Sequence, residues 1–500
     1  MKMDVLRALA QAKSSMAGFR KAPMPPQVAT SSAPATAEPE SATVGPEIAD
    51  PNELPVTQED NGSGFDDEDD EGEDEACFDL SELRKVAKAG HESEEAPQPS
   101  PSIAEEPAEV PAPVPSPPKA PDDMDDFDMF ADDDDLDARL ADAPIRAVVA
   151  NTASNCDDSD GYYRPTIGEM LNGDLRVVGQ AGKGVFSTVL LCKTPTDATV
   201  AVKLIRANDT MRDAAQTEIK LLRELQEGHK SKYVVKLLSS FEHRNHMAMV
   251  FEPMQMNVRE AMKKFGGRDG LSLKGVKVFC KQLLFGLDHL VKHNVVHADI
   301  KPDNMLLDEK GSMVKLCDFG SAFKSTSADA HDPTPYLVSR FYRAPEIILG
   351  LPYHHPVDMW SIGCCVYEMY TGKVLFPGQT NNEMLKLFME IKGRFPGKLL
   401  RKHRTVYLEK LLMEPHFDES LRFISREIDR VSAKPMLRVI NNTNATKDLG
   451  AALLAARAPT DDKKLVLDLK DLLDKIFALD PSKRISVKEA LRHPFLQSSS

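Results

Sequence analysis

A sharp change in charge and composition near residue 160 is what most constrains this 500-residue chain. Residues 1–160 carry 39 acidic and 11 basic side chains and 19 of the 35 prolines. Residues 161–500 hold 51 basic and 39 acidic side chains. The overall charge of −16 thus joins a region at −28 to a region at +12. Like charges and prolines leave little apolar surface to offset chain entropy, so 1–160 is expected to be mostly disordered. The remaining residues exceed one compact core and are expected to form a large, two-lobed domain. A single small folded module is excluded.

The seven cysteines (77, 156, 192, 280, 317, 364 and 365) are odd in number and scattered, without CxxC or Cys/His metal spacing. That pattern predicts reduced thiols in a cytosolic or nuclear protein. No apolar run approaches the ~20 residues needed to cross a bilayer. Residues 1–21 are basic and serine-bearing, with Asp4 the one acid. They read as a partner-binding helix in preference to a transit segment, since no cleavage signal is evident.

Two stretches of the acidic region have texture. FDLSELRKVAKA (78–89) has helical spacing with Ser81 as its cap. DDMDDFDMFADDDDLDARL (122–140) interleaves Met124, Phe127, Met129, Phe130 and Leu136 with aspartates. Composition leaves two readings of it open, an element that folds against a partner's groove and a solvated spacer. Ser100-Pro101 and Ser116-Pro117 are candidate phosphorylation sites, of a kind common by chance in proline-rich linkers.

From Leu175 apolar runs alternate with turn residues. VVGQAGKGVFSTVLL (177–191) predicts strand, glycine turn, strand. Gly182 and Gly184 would let a backbone approach a phosphate; alone, that signal is weak. VAVKLI (200–205) is an alternating strand carrying Lys203, and an inward lysine beside a glycine turn needs an anion. RDAAQTEIKLLREL (212–225) has helical spacing at Ile219, Leu222 and Leu225, with Glu218 available to hold Lys203. A solvated surface role suits Glu218 alone; paired with Lys203 it does not.

VVHADIKPDNMLL (295–307), VKLCDFG (314–320) and SRFYRAPE (339–346) decide the class. With them the chain resembles the eukaryotic protein kinases over essentially all of 174–496. The resemblance implies an α+β bilobal protein kinase fold, with a small β-rich N-lobe (174–253) and a larger helical C-lobe (254–496). A leader (161–173) and the acidic tail (1–160) precede it. Phosphoryl transfer needs fixed cations and an oriented nucleophile more than covalent chemistry. The resemblance makes Asp299 the base for the attacking hydroxyl, and Asn304 and Asp318 the Mg²⁺ ligands. Lys203, oriented by Glu218, would hold the α/β-phosphates of ATP, and Lys301 would neutralise the γ-phosphate. Val189, Ala201 and Leu306 would sandwich adenine. Backbone groups of Glu252 and Met254 in VFEPM (250–254) would meet its edge, with Phe251 as gatekeeper.

Three departures from the general kinase pattern follow. Ser187 replaces the third glycine of the loop, which stiffens it there. Ala298 stands where an arginine usually grips a phosphorylated activation loop, so control should rely less on that clamp. The segment 318–346 places Thr334, Pro335 and Tyr336 ahead of Arg340 and Arg343. Tyr336 resembles the activation-loop tyrosine of the CMGC kinases, with Arg340 and Arg343 as candidate phosphate partners. Thr334 is expected to matter less. Glu346 and Arg484 match the buried ion pair of the large lobe, Asp358 its central helix, and 392–458 the CMGC insert. Lys398, Arg401, Lys402 and Arg404 in that insert are read as a solvated basic face rather than a docking site.

HADIKPDN, TPYLVSRFYRAPEIILG (334–350), GYYRPTIGEML (161–171), VFEPMQMNVRE (250–260) and NATKDL (444–449) resemble one family within that group. It is the pre-mRNA-processing-factor-four kinases of the spliceosome. DMFA (128–131) is similar to a segment ahead of that family's kinase domain, whereas its Arg/Ser- and Lys-rich extension is replaced here by an acidic tail. The resemblance implies a nuclear serine/threonine kinase, cytoplasmic presence left open, acting on splicing proteins of the tri-snRNP during spliceosome activation. ATP and Mg²⁺ are its expected cofactors, and a monomer is expected. Neither membrane association nor sequence-specific nucleic-acid binding is evident. Two alternatives compete: a pseudokinase scaffold, opposed by the complete set Lys203, Glu218, Asp299, Asn304 and Asp318, and another CMGC kinase outside splicing, dual-specificity tyrosine-regulated or Cdc-like.

Overall fold

The computed structural model describes residues 80–85, 157–158, 161–184, 186–228, 230–326, 335–428, 434–441 and 443–497. The expectations for residues 1–21, for 122–140, for Ser100 and Ser116, and for Thr334 lie outside these residues.

The N-lobe is one antiparallel sheet in the order β1-β2-β3-β4-β6-β5. Its strands are β1 (Met170–Leu171), β2 (Leu175–Lys183), β3 (Ser187–Lys193), β4 (Thr199–Ile205), β5 (Leu237–His243) and β6 (His246–Phe251). Period-two alternation explains how the sheet sorts its side chains. Leu190, Cys192, Val200, Val202 and Leu204 are buried with Tyr163, Leu171, Leu175 and Val177 in a small core of their own. Val189, Ala201 and Lys203 alternate with them and remain half-buried on the other face. The leader (161–173) packs onto this lobe: Met170 and Leu171 pair with Arg176 and Leu175, and Tyr163 is buried against the sheet.

Helix α1 (Asp209–Leu225) follows β4. Asn208 caps it, accepting from the Thr210 N–H at 2.9 Å. Its buried stripe is Ala215, Ile219, Leu222 and Leu225, and Glu218 lies in that stripe as a buried acid.

The C-lobe is built on α3 (Leu273–Lys292) and α5 (Pro356–Thr371), with a four-residue α2 (Val258–Ala261) after β7 (Met256–Asn257). Every residue of α5 after Pro356 is buried, so it has no polar face and serves as the central post. Its packing requires Gly363, where a Cβ would meet Ile476 Cγ2 at 2.5 Å. Trp360 of α5 packs edge-on to Phe388 and Phe477, ring centroids 4.9 and 5.1 Å away. Short strands β8 (Val295–Val296), β9 (Met305–Leu307), β10 (Val314–Leu316) and β11 (Phe323–Lys324) frame the loops between the lobes. Outside them lie α4 (Pro345–Ile348), α6 (Asn381–Lys392), α7 (Gly397–Thr405), the hairpin β12 (Phe423–Ile428) and β13 (Pro435–Ile440), and α8 (Leu449–Ala455). Helices α9 (Lys463–Ile476), α10 (Val487–Leu491) and α11 (Pro494–Gln497) close the chain.

The expected Glu346–Arg484 pair is formed, bidentate at 2.6 and 2.9 Å and almost wholly removed from solvent. Lys398, Arg401 and Lys402 of α7 are exposed, while Arg404 donates to the Phe417 carbonyl at 2.6 Å. Among the described residues five cysteines are free thiols and no helix is long and apolar enough to cross a membrane. The helix expected over 78–89 is corrected: Leu80–Leu83 is a single 3₁₀ turn, and Arg84 already runs extended, bridged to Leu271. Burial of Leu83 in the C-lobe core outweighs the local helical spacing.

Candidate active site

Cross-strand register assembles the upper wall. Val189 stands opposite Lys203, Leu191 opposite Ala201, and Ala201 opposite Phe251. Gly182 pairs with Val189, so the glycine turn hangs directly over this wall. The turn is closed by the Gly184 N–H donating to the Ser187 carbonyl at 2.8 Å, and Ser187 is buried at the start of β3. This is how a serine in the third glycine position is accommodated. After Phe251 the chain leaves the sheet, and the Glu252 N–H bonds the Lys236 carbonyl at 3.2 Å. The Glu252 side chain pairs with Lys315 at 2.8 Å, which fixes the connector at Glu252 and Met254. Leu306 of β9, half-buried between Lys315 and Asn257 in its small sheet, comes from the other lobe.

Lys203 makes the central contact of the site. Its Nζ lies 3.0 and 3.2 Å from the Glu218 carboxylate oxygens and 3.0 Å from Asp318 Oδ1. Burial works against the Lys203 charge, but the carboxylates of Asp318 and Glu218 outweigh it and hold the ammonium well above its ordinary pKa. Burial lifts the Glu218 carboxyl, with Lys203 pulling the other way. Asp318 has left-handed backbone, φ 61°, which turns its carboxylate toward Lys203 while the next residue, Phe319, is buried below.

The lower wall is the loop after β8. Asp299 is 3% exposed. Its Oδ1 accepts from the Ser339 N–H at 3.1 Å and Oγ at 2.7 Å. Lys301 Nζ reaches Asp299 Oδ2 at 3.3 Å and Ser339 Oγ at 3.4 Å. Burial opposes the Lys301 charge, yet Asp299, Asp303 and Asp318 raise its pKa. Asn304 donates Nδ2 to the Asp299 carbonyl at 2.8 Å. The loop is anchored from beneath by Asp358 of α5, which accepts from the His297 and Ala298 N–H groups at 2.7 and 2.9 Å. Burial raises the Asp358 carboxyl, opposed by His297 and those amides. Ala298 adopts φ 60° and is buried, so the position expected to lack a phosphate clamp serves as a tight backbone turn.

Sequence reasoning missed two parts. Ser339 was read only as part of a motif, although it fastens the segment 335–346 to Asp299. Arg259 bonds Asp303 at 3.0 Å, Glu368 at 2.9 Å and the Tyr342 hydroxyl at 2.6 Å, joining three segments beneath the site. Nothing local marks it, because its partners lie 44, 109 and 83 residues away.

The third expected group is arranged differently from a ready phosphate clamp. Arg343 spends its guanidinium on the Tyr336, Leu337 and Val338 carbonyls, at 3.1, 2.7 and 2.8 Å, and on Asn381. Arg340 donates to the Gln379 carbonyl at 2.5 Å. Burial, then the neighbouring Arg340 cation, depress the Arg343 pKa; burial depresses Arg340. The Tyr336 side chain is half exposed beside them.

This arrangement is matched by the family model for the protein kinase domain, over residues 175–496. The chain belongs to the protein kinase family. Within it, the chain is 41% identical over 350 residues to Serine/threonine-protein kinase prp4 of Schizosaccharomyces pombe, covering 69% of this chain and 71% of that protein. It is 42% identical over 355 residues to Serine/threonine-protein kinase prpf4B of Dictyostelium discoideum, covering 69% of this chain but 42% of that one. Human Dual specificity tyrosine-phosphorylation-regulated kinase 3 is 33% identical over 348 residues, 57% of its length. The prp4-type kinases are thus the nearer of these relatives, and the dual-specificity kinases stand further off.

A kinase uses ATP and a divalent cation, and the donor set fits both. Among the described residues no group of three or more His, Cys, Asp or Glu side chains could cage a metal alone. Asp318 and Asn304 instead offer the one or two hard oxygen donors that suit a cation shared with phosphate oxygens. With its Nδ2 committed to Asp299, Asn304 has its amide oxygen to offer.

Proposed function

We propose that this chain transfers the γ-phosphoryl group of ATP, with Mg²⁺, to serine and threonine hydroxyls of pre-mRNA splicing proteins in the nucleus. One observation carries the chemistry: the largely buried Lys203–Glu218 pair meets the more exposed Asp318, with Asp299 and Lys301 paired below.

The roles follow from the atoms. Lys203, kept protonated by two carboxylates, would hold the α/β-phosphates. Asp318 and the Asn304 amide oxygen would hold Mg²⁺, which would supply charge neutralisation for the phosphate oxygens. Val189, Ala201 and Leu306 enclose adenine, Phe251 limits the depth of the cleft, and the backbones of Glu252 and Met254 bond the ring edge. Gly182 and Gly184 allow the loop to approach the phosphates. Asp299 Oδ2 orients the incoming hydroxyl and takes its proton, while Oδ1 stays fixed on Ser339. Lys301, already at Asp299, offsets charge on the transferring group. Tyr336 is the regulatory phosphosite. Arg343, disfavoured by burial and by the Arg340 cation, and Arg340, disfavoured by burial, would gain from an anion beside them.

The splicing assignment rests on the prp4-type relatives and on HADIKPDN and TPYLVSRFYRAPEIILG. Selective inhibition of the kinase followed by quantitative phosphoproteomics tests it: splicing proteins should dominate the lost serine and threonine sites. A set of lost sites without splicing proteins would move the enzyme elsewhere in the CMGC group.

A further inference from the structure

Part of the acidic tail is built into the kinase domain. The Leu83 side chain is fully buried and belongs to the main core, together with Met262 and Leu271. Around it the backbone is paired as at a sheet edge. Arg84 bridges Leu271, the Ser272 N–H donates to the Leu83 carbonyl at 2.8 Å, and Ser272 Oγ donates to the Glu82 carbonyl at 2.6 Å. The Glu82 carboxylate meets Lys274 at 2.6 Å.

Two residues beyond Leu83, past the end of the 3₁₀ turn, Lys85 enters a socket made of carbonyl oxygens. Its Nζ donates to Asp269 at 2.7 Å, to Ala456 at 3.0 Å and to Tyr370, and lies 3.9 Å from the Tyr370 ring centre. Tyr370 is in the last turn of α5, and Ala456 is the C-cap of α8. Each helix presents carbonyls and the negative end of its dipole there, so one cation satisfies both ends. The socket is held tight by glycines. At Gly270, φ 76°, a Cβ would meet the Tyr370 carbonyl at 2.5 Å, and at Gly372, φ 70°, the Arg268 carbonyl at 2.8 Å.

The tail is fixed again at its far end. Asp157 pairs with His246 Nε2 at 2.8 Å and bridges Tyr163, and Asp158 pairs with Lys183 at 3.2 Å. These partners belong to the N-lobe sheet. The 71 residues between the anchors, 86–156, carry 17 acidic and 4 basic side chains.

We propose that residues 80–85 are an intramolecular docking segment for this apolar-plus-cationic socket on the C-lobe. With the Asp157 anchor, the chain is fixed to the C-lobe ahead of residue 86 and to the N-lobe after residue 156. The socket reads a Leu-x-Lys sequence: Leu83 fills the apolar half, Lys85 caps the helix ends, and Arg84 between them faces solvent. Docking within one chain is intramolecular, so its occupancy does not depend on the protein's own concentration.

The Ser272 amide reports the docking directly, because its N–H is spent on Leu83. In the full chain, hydrogen exchange at Ser272 should quicken at least tenfold in Leu83→Asp and Lys85→Glu, and measurably in the milder Lys85→Met. Reversing the exposed pair in Glu82→Lys/Lys274→Glu should restore protection lost in Glu82→Lys alone. Protection in the unmodified chain should not change over a hundredfold dilution. Unchanged exchange in both Lys85 variants would overturn the proposal. Protection that fades on dilution would overturn it too, by assigning the segment to a second copy of the chain. Kinase assays do not enter these readouts, so the docking can fail while the assigned chemistry stands, and the reverse.

Discussion

Ser339 grips Asp299 with two groups, its N–H at 3.1 Å and its hydroxyl at 2.7 Å, both on the same carboxylate oxygen. The segment that follows the cleft and the residue assigned as base are thereby locked to each other. Replacing the hydroxyl in Ser339→Ala leaves the N–H bond and the fold. A hydrogen bond to a charged group contributes about 1.5 kcal/mol at the low end, so kcat should fall roughly tenfold. Steady-state kinetics on a protein substrate checks this, and KM for ATP should change little.

Glu346 and Arg484 join α4 to the region before α10 with both side chains out of solvent. Removing one partner strands the other charge, which costs about 3–5 kcal/mol. Glu346→Gln should therefore lower the denaturant midpoint sharply, while the Glu346→Gln/Arg484→Leu double variant should recover part of the loss. Equilibrium unfolding of all three proteins decides it.

The insert should be the acid-sensitive part of the C-lobe. The His416 N–H donates to His403 Nε2 at 3.0 Å, and His403 Nδ1 faces the Leu349 carbonyl at 3.0 Å, so His403 is neutral with its proton on Nδ1. Asn382 faces His416 Nδ1 at 3.1 Å in the same pocket. Burial pushes His403 down to about 4 and His416 down to about 3 from an ordinary 6.5. Both folded values lie below the unfolded one, so below pH 6.5 the unfolded chain binds more protons and stability falls with pH. Each histidine costs about 1.4 kcal/mol per pH unit in that window, or roughly 2 kcal/mol by pH 5. Unfolding at pH 7 and pH 5 should show this loss, and His416→Gln should show about half of it.

The site was legible where one short stretch carried the chemistry. HADIKPDN places Asp299, Lys301 and Asn304 within six residues, CDFG supplies Asp318 fourteen residues on, and the alternation in VAVKLI separates Lys203 from the core-facing side chains of its strand. Glu218 needed the pairing argument, since a lone acid on a helix reads as solvated. Ser339 and Arg259 were not legible, because each acts through partners that only the tertiary fold brings near. Residues 78–89 misled for the opposite reason: their helical spacing is real, but Leu83 and Lys85 find better partners in the C-lobe than a helix provides. The pairing of the leader with β2 was not legible, because Met170 and Leu171 are too short a run to announce a strand.

Tyr336 lies half exposed with Arg343 holding its carbonyl. Tyr336→Phe should keep the fold and lower kcat severalfold, and mass spectrometry of the wild-type protein should find phosphate on Tyr336. Full activity in the variant together with no phosphate would remove the regulatory role.

The most direct test of the whole account is Asp299→Asn. The amide keeps the size of the side chain and an oxygen for Ser339, but it cannot take a proton. General-base catalysis of this kind contributes about 10²–10⁴-fold, so phosphorylation of a protein substrate should drop by that factor while ATP still binds and the unfolding midpoint holds. Wild-type phosphorylation by a folded Asp299→Asn protein would contradict the assignment of this site as the seat of phosphoryl transfer.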